Sequence, residues 1–219
     1  MGNLLELRDI NKNYGDDVIL SGVSFTLTRE TAVAIIGHSG GGKTTLLSIM
    51  GLLQQATSGT VLVDGRDIAG LDPQQLAKLR GEYLSFVFQR ARLINSLTAL
   101  ENVMAPAWFI RSGVNVEQAA KALLENFGLA HRLYHKPQEL SLGQLRRISL
   151  ARALLLKPPI LLADEPTNDL DPALADEVTS CLLAARRDGT GVVIVTHDAG
   201  LAAQADQTFR LEAGALRPA

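Results

Sequence analysis

The sequence lacks what marks a secreted, membrane-spanning or nucleic-acid-binding chain. Cys181 is the single cysteine among 219 residues, so no internal disulfide can form, which is typical of a reducing compartment. No run of about 18 apolar residues is present, which argues against a transmembrane helix. The net charge is −2 and the basic residues are scattered, which argues against a nucleic-acid-binding stripe. We therefore expect a cytosolic protein.

The N-terminal segment, MGNLLELRDI, matches neither of two targeting patterns. It has no charged region followed by an apolar core, as a secretory signal requires. Glu6 stands where N-myristoylation requires Ser or Thr. The chain also lacks internal repeats, low-complexity tracts and linkers, and its length suits one large domain or two small ones.

The hydrophobic pattern divides the chain into three kinds of segment. Residues 3–30 and 60–65 alternate with period two, which predicts half-exposed antiparallel strands. Residues 97–156 have apolar residues at helical spacing. Continuous apolar runs, which are typical of buried strands in a parallel sheet covered on both faces, are TAVAII at 31–36, YLSFVF at 83–88, ILLA at 160–163 and GVVIVT at 191–196.

A polar group follows each of these apolar runs. A glycine loop that starts at Gly37 follows the first run, and Gln89 follows the second. Asp164 and Glu165 end the third run, and His197 ends the fourth. Ligands of open parallel sheets bind outside the carboxyl ends of the strands. We therefore expect these groups to converge on one site.

The glycine loop predicts the ligand. The segment GHSGGGKT fits G-x-x-x-x-G-K-[ST] and lies between a predicted strand and a predicted helix, so a glycine-rich turn without function is disfavoured. Backbone N–H groups of such a loop wrap phosphates, and the helix dipole favours their negative charge. The expected nucleotide-binding residues are Gly37, His38, Ser39, Gly40, Gly41, Gly42, Lys43, Thr44 and Thr45.

The third and fourth strand ends are expected to supply the metal ligand and the catalytic groups. Asp164 is suited to hold Mg²⁺ together with the Thr44 hydroxyl, and Glu165 is placed to polarise an attacking water. A surface acid is the alternative for Glu165. His197 is expected to sense the terminal phosphate, although a lone histidine is more often structural.

The motifs resemble those of the nucleotide-binding subunits of ATP-binding cassette (ABC) transporters, in the same order and over nearly the whole chain. The matching segments are NKNYG with Tyr14, GHSGGGKT, FVFQ with Gln89, LSLGQ at 140–144, ILLADE at 160–165, NDLD at 168–171 and VTHD with His197. LSLGQ is the most specific of them, because other P-loop ATPases lack this signature.

The resemblance implies a role for each matching residue. It implies adenine stacking by Tyr14, nucleotide and metal binding by Gln89, metal binding by Thr44 and Asp164, catalysis by Glu165 and His197, a D-loop role for Asp171, and contacts to the partner subunit's nucleotide by Ser141, Gly143 and Gln144.

The resemblance also implies the architecture and the assembly. We expect an α/β fold with a P-loop NTPase core, whose mostly parallel sheet has flanking helices, plus an N-terminal antiparallel β layer and a helical subdomain. Residues 1–219 would form one ABC nucleotide-binding domain, with the core and β layer at 1–88 and 160–219 and the helical, signature-bearing subdomain at about 89–159. ATP and Mg²⁺ are the expected ligands of a head-to-tail homodimer that closes around two ATP and binds no nucleic acid.

Four segments resemble one group within this family, the lipoprotein-release and macrolide-export (LolD-like and MacB-like) group. They are FVFQ, SLTALENVMAPA, LLADEPTNDLD and VTHDAGLAAQAD. This group implies a separate permease of the FtsX/MacB type, transport or mechanotransmission, and a peripheral location on the cytoplasmic face of the inner (plasma) membrane. The permease would dock between Gln89 and about Arg111. Residues 107–110 are the candidate contact patch, and an apolar helix face buried in the core is the alternative.

Two other functions stay open at this point. One is a regulatory rather than transport role, as in cell-wall hydrolase control, and the other is a soluble ABC ATPase outside transport. The regulatory interpretation draws on Leu142, which stands where the family pattern has glycine. If Leu142 adopts helical backbone angles, its side chain can turn away from the nucleotide, whereas a positive φ would strain it. We expect the helical case.

Overall fold

The computed structural model describes residues 2–38, 40–110 and 115–219. The strands are β1 Asn3–Tyr14, β2 Asp17–Thr28, β3 Ala32–Ile36, β4 Ser58–Val63, β5 Arg66–Asp67, β6 Leu84–Val87, β7 Ile160–Asp164, β8 Gly191–Val195, β9 Gln207–Glu212 and β10 Ala215–Pro218. The helices are α1 Lys43–Met50, α2 Pro73–Tyr83, α3 Ala99–Met104, α4 Val116–Asn126, α5 Leu142–Leu154, α6 Pro172–Ala185 and α7 Ala199–Ala202.

The predicted N-terminal antiparallel layer is confirmed. Its strand order is β2-β1-β4-β5, and β1 pairs antiparallel with both β2 and β4. Leu7 and Phe25 are buried on one face, while their neighbours Arg8, Ser24 and Thr26 are exposed on the other. The period-two pattern therefore arises because one face of this sheet packs on the core and the other contacts water.

The four continuous apolar runs form the parallel centre of a second sheet, with the order β10-β9-β3-β8-β7-β6. Successive residues of β8 pack into different cores: Val193 and Val195 face α1 and the antiparallel layer, whereas Val192 and Ile194 face α3 to α6. Both faces are covered, so every position of β8 is buried. A strand without a solvent face has no reason to alternate, which explains the continuous runs.

Residues 97–156 are helical only in part. Short 3₁₀ turns at Ala105–Trp108, Ala130–Arg132 and Pro137–Glu139 separate α3, α4 and α5. Prolines begin or interrupt two of these turns, because proline lacks the N–H that a continuing helix needs. The prediction of a helical segment is thus confirmed in type, and the structure adds the bounds of its three helices. The pattern also missed β9 and β10, which close one edge of the sheet.

Helices α3 to α5 lie between β6, which ends at Val87, and β7, which begins at Ile160. These limits agree with a helical subdomain at about 89–159, and the proposed domain bounds stay a prediction. None of the helices in the described residues is long and apolar enough to cross a membrane.

Candidate functional site

A cavity of about 670 Å³ opens at the carboxyl ends of the parallel strands. This volume is within the usual range for small-ligand sites. The cavity is lined by Ile19, Gly37, His38, Gly40, Gly42, Lys43, Thr44, Thr45, Gln89, Asp164, Glu165, Asn168 and His197. Groups that follow all four apolar runs therefore meet at one place, and the convergence predicted from the strand ends is confirmed.

The glycine loop closes around its own lysine. Lys43 is only 7% exposed, and its ammonium donates to the carbonyls of Gly37 at 2.8 Å and His38 at 2.9 Å. A buried charge needs such partners, so the loop is held in a compact form. Gly42 precedes α1 at φ 90°, a left-handed angle that glycine adopts without strain. Ser39 lies outside the described residues.

A pair of oxygen donors lies on the cavity wall beside the loop. The Thr44 hydroxyl is 3.3 Å from Asp164 Oδ2 and 3.4 Å from Oδ1. Burial raises the pKa of Asp164, while the hydrogen bond from Thr44 and the positive charge of Lys43 act against that increase. Hydroxyl and carboxylate oxygens are the ligands that Mg²⁺ prefers, and Gln89 adds an amide to the same wall. The residues present therefore fit a Mg²⁺ ion.

Glu165 and His197 are in direct contact. Nδ1 of His197 lies 2.8 Å from Glu165 Oε2, and the backbone N–H of His197 donates to the same oxygen at 3.3 Å. Glu165 has a left-handed φ of 44°, and its own N–H donates to Val195 O at 2.9 Å. A left-handed φ is unfavourable for glutamate, and the neighbouring strand β8 holds it. The carboxylate is thereby fixed at the cavity wall, where it can accept a proton from water.

Tyr14 stands apart from this cluster. It ends β1, its side chain is half exposed, and it lies outside the described residues that line the cavity. The Lys12 ammonium lies 4.9 Å from the centre of its ring, and its hydroxyl contacts Gln54. The ring is available at the surface, and its adenine-stacking role stays a prediction.

The LSLGQ segment begins helix α5. Ser141 is the N-cap: its Oγ accepts from the N–H of Gln144 at 3.3 Å, and Gln144 Oε1 accepts from the N–H of Ser141 at 3.0 Å. This reciprocal capping box satisfies two N–H groups that the first turn leaves free. Leu142 is the first helical residue and is 61% exposed, so the predicted helical case is confirmed.

The LSLGQ segment lies on a surface distinct from the cavity at the strand ends. Ser141, Leu142 and Gly143 line a groove of about 350 Å³ together with Asp171. A Cβ on Gly143 would lie 3.2 Å from Leu174 Cδ2, so α5 packs closely on α6. Asp171 caps α6 by accepting from the N–H of Leu174 at 3.1 Å. The structure thus separates the two predicted phosphate-binding elements within one chain.

A third concave surface, of about 850 Å³, lies between α2, β6 and the end of α5. Phe109 and Ile110 line it with Phe86 and Leu84. Phe109 is 87% exposed and Trp108 is also exposed, so the alternative of a buried helix face is wrong for these residues. Arg111, the predicted limit of the docking segment, lies outside the described residues.

The sequence analysis assigned no role to two residues that line the cavity at the strand ends, Ile19 and Asn168. Asn168 begins the NDLD segment three residues after Glu165, and this short spacing could have identified it. Ile19 belongs to β2 in the antiparallel layer, and a Cβ on Gly42 would lie 3.0 Å from its Cγ2. No local signal marks Ile19, because this contact joins two sheets.

The fold and the cavity define the class of protein: a glycine loop between β3 and α1, with acidic and histidine groups at neighbouring strand ends, is the arrangement of a P-loop ATPase. The family model for ABC transporters matches residues 20–168. The LolD lipoprotein-releasing system ATP-binding protein of Geobacter metallireducens is 45% identical over 98% of this chain and 98% of that protein.

Two further relatives extend the comparison. The macrolide export ATP-binding/permease protein MacB of Escherichia coli K12 is 44% identical over 99% of this chain and 34% of that protein. The dimeric ATP-binding cassette MJ0796, in a post-hydrolysis state bound to ADP and Pi, superimposes with a TM-score of 0.88 at 34% identity, covering 98% of each chain. The present chain belongs to the ABC transporter family, as an ATPase cassette of the LolD/MacB-like group.

Proposed function

We propose that the chain is the ATP-hydrolysing subunit of an ABC transporter or mechanotransmitter complex, a homodimer that drives a separate FtsX/MacB-type permease from the cytoplasmic face of the plasma membrane. One observation carries this proposal: the cavity brings Lys43, Thr44, Asp164, Glu165 and His197 together. Each of these groups has a task in phosphoryl transfer to water.

Lys43 and the N–H groups of the glycine loop bind the phosphates of ATP and orient the terminal one. The Thr44 hydroxyl and the Asp164 carboxylate would hold Mg²⁺, with Gln89 beside them, and the bound ion would neutralise charge on the phosphate oxygens. These groups therefore supply binding and electrostatic stabilisation.

Glu165 orients the attacking water and accepts its proton. His197 fixes the carboxylate through its side chain and its backbone N–H, so the base keeps one orientation. The exposed imidazole also reaches toward the terminal phosphate. Tyr14 stacks on the base of the nucleotide. Direct contact between the two catalytic groups supports turnover over a regulator that only binds nucleotide.

The second half of each site comes from the partner subunit. Ser141, Gly143 and Gln144 lie on a surface apart from the chain's own cavity, and Asp171 lies beside them. In a head-to-tail homodimer this surface covers the terminal phosphate of the opposite ATP, with the N-terminus of α5 facing the anion. The dimeric state of the MJ0796 cassette supports this arrangement.

The permease docks in the groove that contains Phe109 and Ile110. An exposed apolar patch of this kind marks an interaction surface in a soluble domain. The MacB relative, of which the present chain spans 34%, is named as both ATP-binding protein and permease, which supports a permease as the partner of this cassette.

ATP hydrolysis with and without membrane vesicles from the source organism tests this function. The vesicles should stimulate hydrolysis by the purified chain, and Phe109→Asp should abolish that stimulation. Tyr134→Asp is the matched control, because Tyr134 is an aromatic residue that is 70% exposed outside the groove. Hydrolysis that vesicles leave unchanged would favour a soluble ABC ATPase, and nucleotide binding without hydrolysis in both conditions would favour a regulator.

A further inference from the structure

Arg146 is a charged side chain buried inside the helical region. It lies on α5, is 3% exposed, and donates from Nη1 to the carbonyl of Phe88 at 2.6 Å. Its Nε is also buried and has no hydrogen-bond partner among the described residues. A buried guanidinium with an unused donor is costly, so this position calls for a second partner.

The Phe88 contact joins two functional segments. Phe88 directly precedes Gln89, which lines the nucleotide cavity, and Arg146 lies on the helix that Ser141 caps. Arg152 strengthens the same connection further along α5, since it donates to Ala91 O at 3.0 Å and to Arg92 O at 2.9 Å. The segment after β6 is therefore attached to the signature helix by arginine side chains.

Asp169 is the acidic residue that faces Arg146. Both residues line a cavity of about 690 Å³ that also contains Gln89 and Leu142. Asp169 belongs to the NDLD segment, is exposed, and accepts from Asn168 Nδ2 at 2.9 Å. Burial lowers the pKa of Arg146, and the negative charge of Asp169 opposes this decrease. Arg146 thus has an unused buried donor, and the carboxylate of Asp169 belongs to a residue that lines the same cavity.

We propose that Arg146 is a positioning residue whose pairing with Asp169 on closure locks the signature helix, the Gln89 segment and the NDLD segment into one arrangement. The inference rests on the proposed ATP-bound homodimer. It assigns Arg146 no contact with ATP. Its effect reaches the reaction through Gln89 in its own cavity and through Ser141 at the partner's nucleotide.

A double-mutant cycle tests the pair. The parent is Glu165→Gln, in which hydrolysis is blocked, and the readout is the dissociation constant of the Mg-ATP-dependent dimer from analytical ultracentrifugation. Arg146→Gln and Asp169→Asn should each weaken the dimer about fivefold, and the double variant should be no weaker than Arg146→Gln alone, since paired groups act non-additively. ATP affinity of the monomer, from titration calorimetry, should stay within about twofold of the parent because neither residue lines the nucleotide cavity.

Arg152→Gln is the matched control on the same helix. It loosens the attachment to Ala91 and Arg92 without touching the proposed pair, so Asp169→Asn should keep its full fivefold effect in that background. If the role of Arg146 is merely structural, Asp169→Asn should also weaken the dimer about fivefold in the Arg146→Gln background. That result would overturn the inference. If Arg146→Gln does not fold, Arg146→Lys replaces it. Lysine lacks Nε, the unused donor, so the Asp169→Asn effect should fall clearly below fivefold in that background, and an undiminished effect would overturn the pair.

The same experiment distinguishes failure of the proposed homodimer from failure of the Arg146 inference. A Glu165→Gln parent that stays monomeric with Mg-ATP contradicts the homodimer, and this inference with it. If the parent dimerises and the effects of the two substitutions on the dissociation constant multiply in the double variant, only the role of Arg146 is contradicted.

Discussion

The nucleotide cavity and the signature surface, formed by residues 141–144, differ in how many of their polar side chains have hydrogen-bond partners within one chain. In the cavity, Lys43 is held by loop carbonyls, Thr44 donates to Asp164, and Glu165 contacts His197. At the signature surface, the side chains of Ser141 and Gln144 each accept from the other residue's backbone N–H, with no other partner among the described residues, and Leu142 is exposed beside them. The cavity is a formed binding site, whereas the signature surface presents groups without a ligand of their own.

The difference follows from where each region is attached. The cavity residues follow neighbouring strands of one sheet, so pairing between the strands fixes their relative positions. The signature begins a helix in the segment between β6 and β7 and packs on α6. We therefore expect substitutions in the cavity to affect nucleotide binding and chemistry within one chain, and substitutions at the signature to act on assembly.

Glu165→Gln should give the largest effect and show that the general base belongs to the cavity. ATP hydrolysis should fall by about 10²-fold or more, the usual loss on removing a general base. ATP binding should persist, because Lys43 and the loop are intact, and the ATP-bound dimer should accumulate. A phosphate-release assay measures the first effect and size-exclusion chromatography with Mg-ATP the second. A variant that hydrolyses ATP at the wild-type rate would remove Glu165 from catalysis.

Lys43→Ala should separate binding from chemistry inside the cavity. Loss of a charged donor facing the phosphates should weaken ATP binding by about 10- to 100-fold, since hydrogen bonds to charged groups contribute about 1.5–3 kcal/mol. Titration calorimetry measures this change. Lys121→Ala is the control, because Lys121 pairs with Glu117 on α4 outside the cavity. Unchanged affinity in Lys43→Ala would mean that the loop does not bind ATP.

Tyr14→Ala should test whether the nucleotide site extends beyond the cavity wall. Loss of base stacking should weaken ATP binding by about 1–3 kcal/mol. GTP should be weakened by a similar factor, because stacking hardly distinguishes one base from another. Fluorescence titration with both nucleotides measures the two losses. A loss confined to ATP would replace stacking with a specific contact to adenine.

Leu142→Gly should give the smallest effect and address the signature surface directly. Leu142 is the first residue of α5 and has a solvent-exposed side chain, so hydrolysis should stay within a few-fold of wild type. Glycine in a helix costs about 0.8 kcal/mol relative to better helix formers, so the melting temperature should fall slightly. A tenfold rise in turnover would instead show that Leu142 obstructs closure, and the regulatory interpretation would gain support.

Local patterns were enough to predict much of the fold. Each continuous apolar run became a parallel strand, and the alternating N-terminal runs became the antiparallel layer. The edge strands β9 and β10 were missed because β9, with the sequence QTFRLE, contains no continuous apolar run and β10 is only four residues long. The helical segment at 97–156 was predicted without the bounds of α3, α4 and α5, because apolar spacing by itself does not mark where one helix ends and the next begins.

The sequence by itself determined the type of chemistry, since the glycine loop, the acidic pair and the histidine each follow a recognisable strand. The tertiary structure alone decided which of these groups touch. Glu165 meets His197 because β7 pairs with β8, and Arg146 lies buried because α5 packs against the segment after β6. Periodicity records how each segment faces its surroundings, whereas contacts between distant residues depend on strand order and helix packing, which no local pattern contains.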